Sequence, residues 1–192
     1  MLFWSTLIIF CVVLVLQYIY YRGMRPGFFV PLHAYMRVLF WVSVAGVLAY
    51  YLYLTFAQYV AWRDAGPPTV FLVPPYRSIA YVFGYHATRF LMYYAVSFLA
   101  ATFLLWFSLH GNRRFGERFF EREEPYIGAL AIFLLGSVVW NFAWIFYLFL
   151  LFGVYLVLHI FHVFRRSRSR VPMYWLWMPV GIVVLVGGQF LF

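Results

Sequence analysis

The chain alternates long, almost uncharged apolar stretches with short connectors, and this pattern constrains its fold more than any other feature. The longest stretch, residues 126–164, has 39 residues without Asp, Glu, Lys or Arg. As one helix it would be about 60 Å long, roughly twice the hydrocarbon thickness of a bilayer. It must therefore fold back. Asn141 in the segment Trp140–Trp144 is the predicted turn, because Asn tolerates turn conformations and Trp favours the interface.

The composition places the chain in lipid. Apolar residues make up 67% of its 192 residues and charged residues only 10%. A soluble domain is about half apolar and a quarter charged, so this chain has too few charges to cover a water-exposed surface. The length predicts a single transmembrane domain over residues 1–192.

The apolar segments predict an all-α integral membrane protein, a bundle of six transmembrane helices with both termini outside. The predicted spans are residues 2–21, 38–62, 90–110, 126–141, 144–164 and 172–192. Two connectors stand out, an outside Pro-rich one at 63–78 and a cytoplasmic charged one at 111–125. Span one lacks the basic n-region and the cleavage site of a signal peptide, so it is predicted to be a retained membrane anchor. Five or seven crossings stay open, because each half of 126–164 is short.

The arginines give the orientation. All 14 basic residues are Arg, and eleven lie in the connectors after spans one, three and five. Those eleven are Arg22, Arg25, Arg37, Arg113, Arg114, Arg118, Arg122, Arg165, Arg166, Arg168 and Arg170. The positive-inside rule places them in the cytoplasm and the chain in the plasma (inner) membrane as a multi-pass protein. Because these charges flank apolar spans, the predicted partner is a bilayer with anionic lipids at its cytoplasmic face, and not nucleic acid.

Small residues mark the predicted helix contacts, because packing of small residues drives helix association in lipid. They are Ser97, Ala100, Ala101, Gly128, Gly136, Gly181, Gly187 and Gly188. The acidic pair Glu123 and Glu124, directly before Pro125, is typical of a helix start, here the start of span four.

One group of residues could bind a metal ion. His159 and His162 are three apart, so both imidazoles share a helix face at the end of span five. The predicted topology places His110 and Glu121 on the same side, and imidazoles with a carboxylate suit zinc or a similar metal. The alternative interpretation is a polar rim where helices leave the membrane. The sequence requires no cofactor, and its histidines do not lie at the mid-span positions that haem ligation needs.

Two further groups involve arginine. Arg165, Arg166, Arg168 and Arg170 follow span five and are predicted to bind lipid head groups or phosphate, each contributing about 1 kcal/mol near an anionic leaflet. On the other side, Arg89 lies at the predicted membrane boundary. There it either snorkels to the interface or pairs with Asp64, the only Asp of the chain.

The layout of six spans, an outside N-terminus and polar segments after spans one and three resembles that of prepilin peptidases. That family carries one catalytic Asp after the first span and another in a Gly-x-Gly-Asp motif before the fourth. The matching places here read Tyr20-Tyr21-Arg22-Gly23 and Phe115-Gly116-Glu117-Arg118. Neither Asp is present, so the resemblance covers topology alone. The missing aspartates exclude a two-Asp hydrolysis mechanism.

The sequence favours a non-catalytic structural or binding subunit of a membrane assembly, with other membrane proteins or copies of itself as partners. One alternative is a membrane-embedded enzyme at the cytoplasmic leaflet, either metal-dependent or metal-independent, or a degenerate prepilin-peptidase-like protein lacking the catalytic aspartates. The second alternative is a small-solute transporter or channel, although such proteins usually carry polar groups at mid-membrane.

Overall fold

The computed structural model describes residues 2–23, 31–116, 120–136, 141–165 and 173–191. The described residues are 85% helical and contain no strand. The α-helices are α1 (Leu2–Tyr21), α2 (Leu32–Asp64), α3 (Ile79–His86), α4 (Met92–Arg114), α5 (Glu124–Leu134), α6 (Ala143–Phe164) and α7 (Trp177–Leu191). Five helical segments of the described chain are long and apolar enough to cross a membrane: Leu2–Tyr21, Leu32–Asp64, Ile79–Arg114, Ala143–Phe164 and Met173–Phe190. The all-α, membrane-embedded class predicted from the sequence is thus confirmed.

Helix α2 is longer than the second predicted span. It begins directly after Pro31 and continues for 33 residues, about 50 Å, whereas the apolar pattern predicted 38–62. Nothing in this stretch breaks a helix. It ends where Gly66 takes a positive φ of 72° and Pro67 follows, since proline cannot continue the helix.

The third predicted span, 90–110, lies within a longer helical stretch, Ile79–Arg114. Helix α3 starts at Ser78, whose hydroxyl accepts a hydrogen bond from the Ala80 N–H at 3.3 Å. A single π-helical turn at Ala87–Leu91 then joins α3 to α4. Residues 79–89, which precede the predicted third span, are therefore helical and continuous with it.

Helix α5 is the main departure from the predicted spans. It covers only 11 residues, about 16 Å, where the sequence predicted a span over 126–141. It starts as predicted at the acidic pair, with Pro125 in its first turn. It can stop inside the bundle because its last carbonyls have partners. The Phe133 carbonyl accepts hydrogen bonds from the Ser97 hydroxyl at 3.2 Å and from the Gly136 N–H at 3.1 Å.

Helix α5 is the centre of the bundle. It packs chiefly against α4 and also against α2 and α7. All of its residues except Tyr126 are buried. A helix that is apolar on every face needs neighbours on every side, and the surrounding helices provide them.

The predicted small-residue contacts are confirmed at three glycines. A Cβ on Gly128 would lie 2.7 Å from the Trp177 ring, one on Gly136 would lie 2.5 Å from the Ser97 Oγ, and one on Gly181 would lie 2.8 Å from the Phe10 ring. These are the places where α5 meets α7 and α4, and where α7 meets α1. The same prediction was wrong for Gly187, which has nothing within 4 Å of the position of a Cβ.

Helix α6 is the least covered of the long helices. Only Ala143, Tyr147 and Leu151 are buried, at intervals of four residues along its first half. No residue from 152 to 164 is buried. The first half of α6 therefore packs on the bundle through one stripe, and the second half extends away from it.

Candidate functional site

Most of the buried polar contacts lie at one end of the bundle. Here α1 and α4 end and α2, α5 and α7 begin, and we call this the arginine-rich end because most of the described arginines lie on it. Ring contacts join its parts: Tyr20 packs on Tyr35 at 6.4 Å, and Tyr21 on Trp175 at 5.3 Å between ring centroids.

A buried carboxylate links two helices at this end. Glu124, the first residue of α5, is only 3% exposed. Its Oε1 accepts a hydrogen bond from the Trp177 indole N–H at 2.9 Å, and its Oε2 accepts one from the Glu121 backbone N–H at 3.1 Å. Burying a carboxylate is costly unless it is hydrogen-bonded, and here both oxygens are. This arrangement ties α7 to the start of α5.

A second buried side chain holds the charged connector against α4. The Asn112 side chain donates to the Phe120 carbonyl at 2.6 Å and accepts from the Phe120 N–H at 2.9 Å. One amide thus satisfies both backbone groups of a residue eight positions later. This pairing, the Asn112 clamp, brings the residues just before α5 back onto the end of α4.

A third polar contact joins α1 to the segment before α7. Gln17 is fully buried, and its Nε2 donates to the Tyr174 carbonyl at 3.0 Å. Its Oε1 is buried without a hydrogen-bond partner. The Tyr147 hydroxyl of α6 donates to the carbonyl of Trp177, the first residue of α7, at 3.1 Å, so α6 joins the same network.

The predicted metal ligands do not form one cluster. The described residues contain no group of three or more His, Cys, Asp or Glu side chains that could hold a metal ion. His110 Nδ1 donates to the carbonyl of Trp106 at 2.9 Å, and its ring lies on the Trp106 ring. His159 stacks on Tyr155 with 6.0 Å between the ring centroids. These contacts lie within single helices, as the polar-rim interpretation expects.

Glu121, the fourth predicted ligand, has an unusual carboxyl. Partial burial, and after it the neighbouring charge of Glu123, raises the pKa of Glu121. The metal-site hypothesis for His110, His159, His162 and Glu121 stays a prediction from the sequence.

The predicted lipid-binding arginines are only partly described. The Arg165 guanidinium lies over the Phe161 ring, 4.4 Å from its centroid, just after the end of α6. Arg166, Arg168 and Arg170 lie outside the described residues. Their binding to lipid head groups or phosphate stays a prediction.

The predicted ion pair between Arg89 and Asp64 is replaced by two other contacts. Asp64 pairs with its neighbour Arg63 at 2.8 Å. Arg89 lies in the π-helical turn, where it donates to the Tyr85 hydroxyl at 2.6 Å and stacks over that ring at 4.3 Å. Arg63 and Arg89 each find a partner within one turn of their own helix. Such a partner is closer in the chain than a residue on the neighbouring helix.

Sequence reasoning missed the residues that organise this end. Gln17, Asn112 and Trp177 each make a polar contact to a distant part of the chain. Gln17 carried a usable signal, because an amide inside an apolar span usually bonds across helices. Asn112 and Trp177 carried none, since both residue types are common at membrane boundaries for other reasons.

Comparison with protein-family models, with curated proteins and with solved structures finds no match to this chain. The residues of the chain itself are therefore the only basis for a function.

Proposed function

We propose that this chain is a multi-pass plasma-membrane protein that acts as a non-catalytic structural or binding subunit of a membrane assembly. The observation that supports the proposal is the uncovered second half of α6. Leu156 and Val157 there are 57% and 65% exposed, and the aromatic side chain of Phe161 is exposed as well. A second membrane protein, or a second copy of this chain, would pack on this surface.

The polar groups of the described core also fit a structural role. Glu124, Asn112 and Ser97 hold neighbouring segments together by hydrogen bonds and do not converge on a common point. The alternatives of a membrane-embedded enzyme and of a solute transporter stay predictions, since the described contacts favour neither.

Six passes with both termini outside belong to the same proposal. The Asn112 clamp fixes Phe120 at the inner end of α4, and Phe142 packs on Tyr93 near the outer end at 5.3 Å between ring centroids. Residues 93 to 112 of α4 cover about 28 Å. Phe120 and Phe142 thus lie at opposite ends of a distance close to the thickness of the hydrocarbon, although α5 fills only part of that distance.

Cysteine cross-linking tests the subunit role. In a Cys11→Ser background, Leu156→Cys should cross-link to a partner in native membranes, and Leu99→Cys should not, although Leu99 on α4 is even more exposed. The adduct is then identified by mass spectrometry as a second copy or another protein. A lack of cross-linking at Leu156, together with a monodisperse monomer in mild detergent, would contradict the proposal.

Labelling of intact cells tests the passes. In the same background, an impermeant thiol reagent should label Arg77→Cys and leave Arg114→Cys unlabelled until the cells are opened. The opposite pattern would invert the topology, and labelling of both variants from outside would refute the pass between Arg77 and Arg114.

A further inference from the structure

A polar cavity of about 260 Å³ lies at the arginine-rich end, where the start of α2, the end of α4 and the start of α5 meet. Its polar lining comes from His33, Asn112, Arg113 and Arg122. Leu109 and Pro125 supply part of the apolar lining. The cavity lies on a different part of the chain from the arginines after α6 that were predicted to bind lipid.

The lining is cationic. It holds two guanidinium groups and one imidazole, and none of the described lining residues is acidic. Three carboxylates lie close by in the sequence, on Glu121, Glu123 and Glu124. Of these, Glu124 already accepts hydrogen bonds from Trp177 and from the Glu121 N–H. The cavity therefore favours an anion.

The two arginines come from different elements, and the fold brings them together. Arg113 is in the last turn of α4, directly after Asn112, and Arg122 is two residues after Phe120. The Asn112 clamp joins Asn112 to Phe120 by hydrogen bonds of 2.6 and 2.9 Å. The arginines thus flank one fixed point of the backbone. Each guanidinium has five N–H donors, so it can bind an anion while keeping other contacts.

We propose that this cavity binds a phosphate group. Guanidinium groups match the oxygens of phosphate with paired hydrogen bonds, and the His33 imidazole adds a further donor. Leu109 and Pro125 offer an apolar wall for the rest of an amphiphile. The phosphate comes either from a phospholipid head group or from a soluble phosphate compound. This site goes beyond the proposed subunit role and does not depend on it.

The test uses the full-length protein, delipidated in mild detergent at constant ionic strength. Dioctanoyl phosphatidic acid and inorganic phosphate are each titrated, and binding is followed by the shift in thermal unfolding and by native mass spectrometry. We expect Arg113→Gln and Arg122→Gln each to weaken binding roughly tenfold, as for loss of a charge-assisted hydrogen-bond pair. Arg114→Gln is the matched control, because it removes the same charge next to Arg113 from outside the described cavity lining.

The outcomes separate the sources and the alternatives. Binding of the lipid alone assigns the site to a phospholipid, and binding of inorganic phosphate as well assigns it to the phosphate group itself. Equal losses in Arg113→Gln and Arg114→Gln would show only general charge attraction and overturn the proposal. So would saturable binding that survives in the Arg113→Gln/Arg122→Gln double variant, or absence of binding to the wild-type protein. Arg113→Lys, which keeps the charge without the paired donors, guards against misfolding and should bind with intermediate strength.

Discussion

Trp177 donates its indole N–H to Oε1 of Glu124, 53 residues earlier in the chain, at 2.9 Å. The edge of the same indole ring lies against Gly128, one turn further along α5. One side chain of α7 thus satisfies the first residue of α5 and fills the space that Gly128 leaves open. The packing of the last helix on the central one depends on this pair of contacts.

Replacing Trp177 with Phe should destabilise the protein by about 2–3 kcal/mol, because it leaves a buried carboxylate oxygen without a donor. The measurement is unfolding in mixed detergent micelles, followed by circular dichroism. Trp4→Phe is the matched control, since Trp4 is 64% exposed, and it should change the stability by less than about 0.5 kcal/mol. Equal effects of the two variants would contradict the structural role of Trp177.

Gly128→Ala should also destabilise the protein. The added Cβ would lie 2.7 Å from the Trp177 ring of α7 and 3.0 Å from a Leu104 methyl of α4. Both α7 and α4 must therefore shift, at a cost of about 1–3 kcal/mol. Gly153→Ala has the opposite expected sign. Its Cβ would meet nothing within 4 Å, and alanine favours a helix interior by about 0.5–1 kcal/mol over glycine. The same unfolding experiment reads both, and a stabilising Gly128→Ala would show that α5 and α7 do not meet as described.

Asn112→Ala should release the connector from α4. Both backbone groups of Phe120 lose their partner, which should cost about 1–3 kcal/mol and speed hydrogen exchange at the Phe120 amide. Asn112→Asp keeps the acceptor but places a carboxylate oxygen against the Phe120 carbonyl, so it should not restore the clamp. Thr102→Ala is the control, because the Thr102 hydroxyl bonds only within its own helix, to the Phe98 and Leu99 carbonyls. Unchanged exchange at Phe120 in Asn112→Ala would refute the clamp.

The Glu121 carboxyl should make stability depend on pH. Its pKa is raised in the folded state, so the folded chain holds this proton more tightly than the unfolded chain. The free energy of unfolding therefore falls as the pH rises from about 4, the usual carboxyl range, through the raised pKa. Glu121→Gln should match the wild-type protein below about pH 4 and be slightly more stable near neutral pH, by less than about 0.5 kcal/mol because the group is only partly buried.

A second variant checks the cause of that shift. Glu123→Gln removes the smaller of its two causes, so it should reduce the pH dependence without abolishing it. If the Glu121→Gln protein were less stable than the wild-type protein, and only above about pH 4, the expected sign would be reversed.

The outline of the fold was predictable from the sequence, since hydrophobic length sets helix length in a membrane protein. Leu2–Tyr21 was predicted to the residue, and α6 begins within one residue of its predicted start. The length of α5 was not predictable. Hydropathy continues past Leu134, whereas the end of the helix is accommodated by hydrogen bonds from Ser97 and Gly136 to the Phe133 carbonyl, which only the tertiary structure shows.

The site was predicted only in part. The sequence placed its candidate residues at the end of the bundle where the arginines cluster, and the buried hydrogen bonds of Gln17 and Glu124 lie at that end. It left the partner of Asp64 open, since spacing alone does not distinguish pairing across a hairpin from pairing with the adjacent Arg63. It also passed over Asn112, whose role depends on where the connector folds back.

The shortness of α5 has a consequence for how the protein is made. An 11-residue helix covers only about half of the hydrocarbon thickness, so α5 depends on neighbouring helices to cover its ends. Its C-terminal end packs on Ser97 of α4, which is synthesised before it. Trp177, which covers its other end, is synthesised later still. The centre of this bundle is therefore completed last, and any truncation before Trp177 should leave a nascent protein whose core is open to quality-control proteases.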